Sequence, residues 1–218
     1  MAAAFQIDFR SREFAGIAKV SRLSQPGPRI CGLILAAGAS RRMGTSKALL
    51  TVGGETFLDR LIGLLSVVCE PVIVVMGHDA LQSKNGMFVT NPEPERGMLS
   101  SLQCGLRAVP AEAEGVLFTP VDHAAVQEET IRKLAAAFQR GRADVVVPAF
   151  EQRHGHPVAI SRRVVSEILD APVDATARDL IHRYKAMEIA VEDPGVVMDA
   201  DDPADYQKLL AIAGKGIA

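Results

Sequence analysis

The segment Leu35-Ala36-Ala37-Gly38-Ala39-Ser40-Arg41-Arg42-Met43-Gly44-Thr45-Ser46-Lys47 brings two glycines, two arginines and a lysine into thirteen residues. Glycines let backbone amides approach phosphate oxygens without a Cβ in the way. Arg41 and Arg42 offer planar forks, and Lys47 offers a compact point charge. This is the chemistry of a polyphosphate grip, and its spacing sets it apart from two familiar ones. In a P-loop the lysine directly follows the second glycine of GxxxxGK[ST], whereas here five residues part Gly38 from Gly44 and Lys47 comes three later. The dinucleotide fingerprint GxGxxG is absent. On residue types alone, an ordinary strand-to-helix loop with surface charges remains an open reading.

Transfer chemistry on a triphosphate calls for a divalent cation, and Mg²⁺ is commonly held by one or two carboxylates together with substrate phosphates. Aspartates at strand ends are therefore the next residues of interest. Asp122 follows the apolar run Val116-Leu117-Phe118-Thr119-Pro120-Val121, and Asp199, Asp201 and Asp202 follow another, just before Pro203. By chemistry alone such aspartates are helix caps or turn formers sooner than metal ligands. The stretch from Asn91 to Ser101 begins with turn residues and ends on hydroxyls, as a helix N-terminus does. That end of a helix also suits an anion. In His154-Gly155-His156-Pro157 the histidines sit in a polar turn with no zinc-like spacing.

The elements that position these residues alternate. Ile30 to Leu35 is a short apolar run ending near a glycine, as a buried parallel strand would. Leu58, Leu61, Ile62 and Leu65 recur at helical spacing behind Thr56 and Asp59, which match the [ST]xx[DE] capping pattern. Strands are expected at Val72–Met76, near Phe88–Thr90, at Val116–Thr119 and at Val145–Val147. Helices are expected from about Met98 to Val109 and around Ile131, Leu134, Ala135 and Phe138. Beyond Phe150 the spacing predicts a polar turn at Glu151–Gly155, a strand near Pro157–Ile160 and helices near Arg162–Leu169 and Ala177–Tyr184. Strands at Met187–Val191 and Val196–Met198 and a helix from Pro203 complete the series. Such alternation defines an α/β fold, a three-layer Rossmann-like mixed, mostly parallel sheet with helices on both faces. Residues 1–29 end in Gln25-Pro26-Gly27-Pro28 and read as an appendage and linker, with residues 30–218 a single domain.

Composition removes other classes. With 218 residues one sizeable core is expected, and a net charge of −2 supplies no positive field for nucleic acid. Cys31, Cys69 and Cys104 form no CxxC, which points to reduced thiols rather than a disulfide framework. No apolar run is long enough for a membrane helix and the N-terminus has no secretory pattern, so a cytoplasmic protein is expected.

The string LAAGASRRMGTSK resembles the signature of the MobA-like nucleotidyltransferases, LAxGxSxRMGxxK, and the resemblance covers roughly residues 30–210. It implies the fold of the nucleotide-diphospho-sugar transferases, with the triphosphate bound at Leu35, Ala36, Ala37, Gly38, Ser40, Arg42, Gly44 and Lys47. Arg42, Lys47 and Asp122 become the catalytic candidates. TPVDHA resembles the segment whose aspartate binds Mg²⁺, although the family's DxP is here Asp122-His123-Ala124. DADDPADY resembles the closing DIDTPEDY and makes Asp201 the second metal candidate. NPxxxxGxxxSL places Asn91, Gly97, Ser100 and Ser101 beside the nucleotide. GHP places Gly155, His156 and Pro157 on the acceptor side. LAAG with GHP is closer to the branch that transfers CMP from CTP to molybdopterin than to the guanylyl branch. The resemblance thus implies a nucleotidyltransferase that joins CMP to a molybdopterin-type acceptor, with a molybdoenzyme as a further partner. Guanylyl, sugar-phosphate or alcohol-phosphate transfer, a non-catalytic pterin-cofactor chaperone and a small oxidoreductase are the other readings. Intact Lys47 and Asp122 count against the chaperone, and the missing fingerprint counts against the oxidoreductase.

Overall fold

The computed structural model describes residues 29–213 apart from 41, 79, 80, 84 and 173. The expected appendage therefore lies, except for Arg29, outside the described residues. Strand β1 (Ile30–Ala36) is buried along its whole length. Ile30, Ile34 and Ala36 pack into the core under one face of the sheet, and Cys31, Leu33 and Leu35 into the core under the other. A strand covered on both faces needs an unbroken apolar run, which is why this one carries no polar position.

The chain continues through a short hairpin, β2 (Thr51–Val52) and β3 (Glu55–Thr56), into α1 (Phe57–Ser66), β4 (Val72–Met76), β5 (Met87–Thr90) and α2 (Met98–Arg107). Then come β6 (Gly115–Pro120), α3 (Glu128–Gln139), β7 (Val145–Phe150), β8 (Arg153–His154), β9 (Val158–Ser161), α4 (Arg162–Leu169), α5 (Ala177–His182), β10 (Met187–Ala190) and α6 (Pro203–Ala213). The main sheet has the order β10-β7-β9-β6-β1-β4-β5, with β8 attached to β7. The pairs β1–β4, β1–β6, β4–β5 and β7–β10 are parallel, whereas β9 runs antiparallel to both β6 and β7. Leu58 and Leu61 of α1, Ile131 and Leu134 of α3 and Leu209 of α6 fill one face of the sheet. Leu102 and Leu106 of α2, Val164 and Ile168 of α4 and Leu180 of α5 fill the other. Each fully buried aliphatic side chain contributes about 1.5–3 kcal/mol, so the two faces together outweigh any single polar contact in holding the layers.

Two features of this topology place the chemistry. From β1 the chain steps outward to β4 and β5, then crosses back to β6 on β1's other side, so the connections part at the β1/β6 gap. A crevice opens there at the carboxyl ends of the strands, the usual ligand position in open α/β sheets. The glycine-rich loop leaves β1 at this crevice, and Asp122 follows β6 by two residues. Because β9 runs against its neighbours, the turn that precedes it lies at the same edge and carries Gly155, His156 and Pro157 there.

Helix starts are capped as their sequences require. The Thr56 hydroxyl accepts from the Asp59 amide at 3.0 Å and donates to the Asp59 carboxylate at 2.7 Å. The Asp59 pKa is lowered, first by that hydrogen bond. Thr176 and Asp179 repeat the arrangement at α5. Two expectations differ: within the turn expected at Glu151–Gly155, Arg153–His154 pair with β7 as β8, and residues 194–197 form a 3-10 turn where a strand was expected from Val196. Pro194 occupies its first turn, and the Asp193 carboxylate accepts from the Gly195 amide at 3.0 Å, which closes the chain on itself. A short apolar run such as Val196-Val197-Met198 carries no periodicity that separates turn from strand.

Candidate active site

The loop after β1 is organised by Ser40. Its backbone lies at φ 45°, in the left-handed region, and its carbonyl accepts from the amides of Met43 at 3.0 Å and Gly44 at 3.1 Å. Its hydroxyl accepts from the Lys47 amide at 3.0 Å. Gly44 lies at φ 70°, a conformation that costs a side-chain-bearing residue roughly 1–2 kcal/mol. The glycine is required by the turn that returns the chain toward β1. A 3-10 turn over Lys47–Leu49 then directs the Lys47 side chain inward, where it is 14% exposed.

Lys47 Nζ stands 2.7 Å from Asp122 Oδ2 and 2.6 Å from Asp201 Oδ1. Arg42, 70% exposed, reaches the other Asp201 oxygen at 2.8 Å. Burial acts to lower the Lys47 pKa, but hydrogen bonds and charge from Asp122 and Asp201 outweigh it and raise the pKa above the ordinary lysine value. The Lys47 hydrogen bond, helped by the charges of Lys47 and Arg42, lowers the Asp201 pKa. Lys47 and Asp201 are therefore ionised at neutral pH. The remaining oxygen of Asp122, Oδ1, is buried and has no hydrogen-bond partner.

These groups border a cleft of about 380 Å³. Leu35, Ala36, Ala37, Gly38, Ser40, Arg42, Lys47, Gly97, Ser101, Asp122 and Asp201, all singled out from sequence, line it. Gly44 shapes the loop without lining the cleft, and Arg41 lies outside the described residues. Asn91 and Ser100 do not line it either. The Asn91 amide donates to the Ser100 and Ser101 hydroxyls at 2.9 and 3.1 Å, and its oxygen accepts from the Glu93 amide at 3.0 Å. Their polar atoms thereby hold the 91–97 loop against the start of α2. Of the acidic cluster, Asp199 is exposed and Asp202 caps α6 by accepting from the Ala204 and Asp205 amides at 2.8 and 2.9 Å. Only Asp201 turns to Lys47. Ala39, Ser46, Pro94, Met98 and Val121 also line the cleft. Met98, 54% exposed, was not legible as a site residue, since an apolar side chain at a helix start reads as core.

Gly155, His156 and Pro157 lie outside that lining. A Cβ on Gly155 would collide with the Val196 carbonyl, which itself accepts from the His156 amide at 2.8 Å. The His156 ring lies with its centroid 4.7 Å from that of His123 and 5.9 Å from that of Phe118. Burial pushes the His156 pKa down to about 3, and burial also lowers that of His123 despite the nearby carboxylates of Asp122 and Asp199. Both rings are neutral near pH 7.

A buried lysine between two carboxylates, at the switch point of a mostly parallel sheet and below a glycine-rich loop, defines a nucleotide-handling α/β enzyme site. Among the described residues no group of three or more His, Cys, Asp or Glu is arranged to hold a metal unaided. No helix of the described residues is long and apolar enough to cross a membrane. The sequence profile of the MobA-like NTP transferase domain matches residues 32–188, and the chain belongs to that family. It is a nucleotidyltransferase.

Three relatives illustrate the relationship. The molybdenum cofactor cytidylyltransferase of Escherichia coli (strain K12) is 24% identical over 181 residues, covering 80% of this chain and 92% of its own. The probable molybdenum cofactor guanylyltransferase of Mycobacterium tuberculosis (strain ATCC 25177 / H37Ra) is 30% identical over 171 residues, covering 75% and 85%. The crystal structure of Rv0371c from Mycobacterium tuberculosis H37Rv superposes with a TM-score of 0.71 at 28% identity, covering 84% of this chain and 98% of its own. Rv0371c has also been solved in complex with manganese, and that structure matches at a TM-score of 0.67.

Proposed function

We propose that this enzyme transfers CMP from CTP to the phosphate of a molybdopterin-type acceptor and releases pyrophosphate. The observation that carries the reading is Lys47, held between Asp122 and Asp201 on the floor of a cleft walled by the glycine-rich loop. That loop offers amides to the triphosphate, and Lys47 and Arg42 offer it positive charge. An acceptor phosphate oxygen forms the new bond to the α-phosphorus while the bond from that phosphorus to the bridging α–β oxygen breaks. The electron pair leaves with pyrophosphate, so no protein nucleophile is needed. Lys47 and Arg42 follow the charge as it moves toward the leaving group, and fixed donors of this kind act without reorganisation.

Mg²⁺ held by Asp122 and Asp201 would supply positive charge at the α-phosphate and the leaving group. The residues fit it: two carboxylates with substrate phosphates make a usual Mg²⁺ site, and Asp122 Oδ1 is a buried oxygen in need of a partner. The manganese complex of Rv0371c supports a divalent ion in this kind of protein. CTP is preferred to GTP because Leu35-Ala36-Ala37-Gly38 occurs with Gly155-His156-Pro157, and because a relative of similar length is a cytidylyltransferase. We read residues 30–218 as the transferase domain and residues 1–29 as an appendage to it. Three free cysteines suit a reducing cytoplasm.

The test is pyrophosphate release from CTP, GTP, ATP and UTP in turn, with Mg²⁺ and molybdopterin. Release with CTP at least tenfold faster than with GTP is expected. The opposite preference would assign the guanylyl reaction, and silence with all four would remove the transferase reading of this acceptor.

A further inference from the structure

Two side chains of one stretch grip the turn that carries Asp122. The Lys47 ammonium meets Asp122 Oδ2 at 2.7 Å. Further along, on α1, Arg60 donates from Nε to the Ala124 carbonyl at 2.8 Å. Ala124 is fully buried, and a buried carbonyl left without a donor is costly. Arg60 stands three residues after Phe57, beside the stripe of α1 that fills the core, and is itself half-buried. On its other side the same turn abuts Gly195, where a Cβ would collide with the Ala125 carbonyl. The two grips differ in their access to a ligand, because Lys47 lines the cleft and Arg60 does not.

We propose that Arg60 is a positioning residue, whose bond to the Ala124 carbonyl keeps Asp122 aimed into the cleft once nucleotide phosphates have drawn Lys47 away. This rests on the transferase reading above, in which Lys47 serves the triphosphate. Among the described residues Lys47 supplies the hydrogen bond to the Asp122 carboxylate, and the other oxygen, Oδ1, has no partner. When Lys47 turns to phosphate, the aim of that carboxylate therefore depends on its backbone. The turn is then tied to α1 through Ala124, two residues past Asp122, by a donor that no ligand in the cleft competes for. A group that orients a metal ligand from behind in this way sets affinity for the ion without touching it.

The test compares the full-length wild type with Arg60→Met, which keeps an unbranched stem and loses the donor, and with Arg60→Gln. Glutamine Nε2 stands as many bonds from the backbone as arginine Nε, so it restores an N–H donor without the charge. CTP affinity is measured by calorimetry in EDTA. Mn²⁺ affinity is measured by electron paramagnetic resonance with a non-hydrolysable CTP analogue saturating each protein. In Arg60→Met the Mn²⁺ affinity is expected to fall roughly 10–100-fold, while the metal-free CTP Kd stays within about twofold of the wild type. Arg60→Gln is expected to recover most of the loss. Unchanged Mn²⁺ affinity in folded Arg60→Met overturns the proposal. An equal fall in metal-free CTP affinity does so too, since Arg60 would then only support the fold. Mn²⁺ affinity as low in Arg60→Gln as in Arg60→Met also overturns it, since the charge and not the donor would carry the effect. Pyrophosphate release from CTP and molybdopterin by the wild type separates this from the parent reading. A wild type that releases none, yet shows the Arg60-dependent Mn²⁺ affinity, overturns the transferase reading and leaves the Arg60 assignment standing. Turnover with Mn²⁺ affinity alike in all three proteins does the reverse.

Discussion

Lys47 Nζ lies 2.7 Å from Asp122 Oδ2, and the same ammonium spans to Asp201 Oδ1 at 2.6 Å. One charge thus holds together two carboxylates that would otherwise repel each other in the cleft. On the proposed reading, nucleotide phosphates would draw Lys47 away, and Asp122 and Asp201 would then be free to hold a divalent ion. Removing the lysine should therefore act in opposite directions on two ligands. In Lys47→Met the CTP Kd is expected to rise roughly 10–100-fold, the equivalent of one charge-assisted hydrogen bond. Mn²⁺ added alone is expected to bind more tightly than to the wild type, as followed by electron paramagnetic resonance. Equal Mn²⁺ affinity in the two proteins would show that Lys47 does not compete for the carboxylates.

Asp122 is reached by different reasoning. It stands at the end of a fully apolar strand, in a turn whose geometry depends on backbone bonds such as Val121 N–H to the Leu35 carbonyl at 3.0 Å. Its side chain therefore contributes chemistry more than structure. Asp122→Ala is expected to retain the circular dichroism spectrum and melting profile of the wild type while kcat falls by roughly 10²–10³. Wild-type turnover in that variant would take Asp122 out of the site.

The sequence made the strand-and-helix alternation legible where burial left a simple pattern. β1, β4 and α4 carry continuous or helically spaced apolar residues, and their ends agree with expectation to within about a residue. The hairpin β2–β3 was not legible, since two-residue strands have no period to read. The loop from Gly38 to Lys47 was legible because its full string resembles a family signature, whereas its glycines and cations alone also suit an ordinary strand-to-helix loop. The meeting of His123 and His156 was not, because it depends on β9 running antiparallel between two parallel strands, a pairing that no local pattern encodes. Within the acidic cluster, sequence could not tell the cap Asp202 from the cleft residue Asp201, as both are aspartates one position apart.

Arg42 and Asp201 form the outer member of the ionic cluster. With Arg42 70% exposed and Asp201 35% exposed, solvent screens the pair, and Arg42→Ala is expected to change unfolding free energy by no more than about 0.5 kcal/mol in urea titration. Its effect should appear in the nucleotide KM instead. A large loss of stability would place Arg42 among the structural residues.

Asp193 offers a contrasting case, a buried carboxylate that the cleft does not use. Its Oδ2 accepts from the Gln127 amide at 2.9 Å and the Thr130 hydroxyl at 2.7 Å, and its Oδ1 from the Gly195 amide. It ties the segment that leads to Asp201 onto the start of α3. Asp193→Ala strands three donors, and a loss of about 2–4 kcal/mol is expected by urea denaturation. Because the segment it anchors delivers Asp201, the same variant should weaken Mn²⁺ binding in the presence of nucleotide. Unaltered stability would mean that the backbone alone fixes the 193–197 turn.

The histidine pair gives the fold a pH dependence with a definite sign. The unfolded His156 ring takes up its proton near 6.5, and the folded one, held back first by burial and then by His123, near about 3. Between those values the unfolded chain binds the extra proton, so stability rises with pH through the window and is lost as pH falls below about 6.5. The slope for one such group is up to ~1.4 kcal/mol per pH unit, or about 2 kcal/mol between pH 6.5 and 5. Urea midpoints measured at pH 7 and pH 5 should differ accordingly in the wild type and should draw together in His156→Phe, whose ring cannot titrate. The carboxylate of Asp201 acts in a separate range, since its lowered pKa keeps its contribution until pH falls below the ordinary carboxylate value. A wild-type midpoint that does not move between pH 7 and 5 would mean that the 4.7 Å pair admits a proton without opening the turn that carries it.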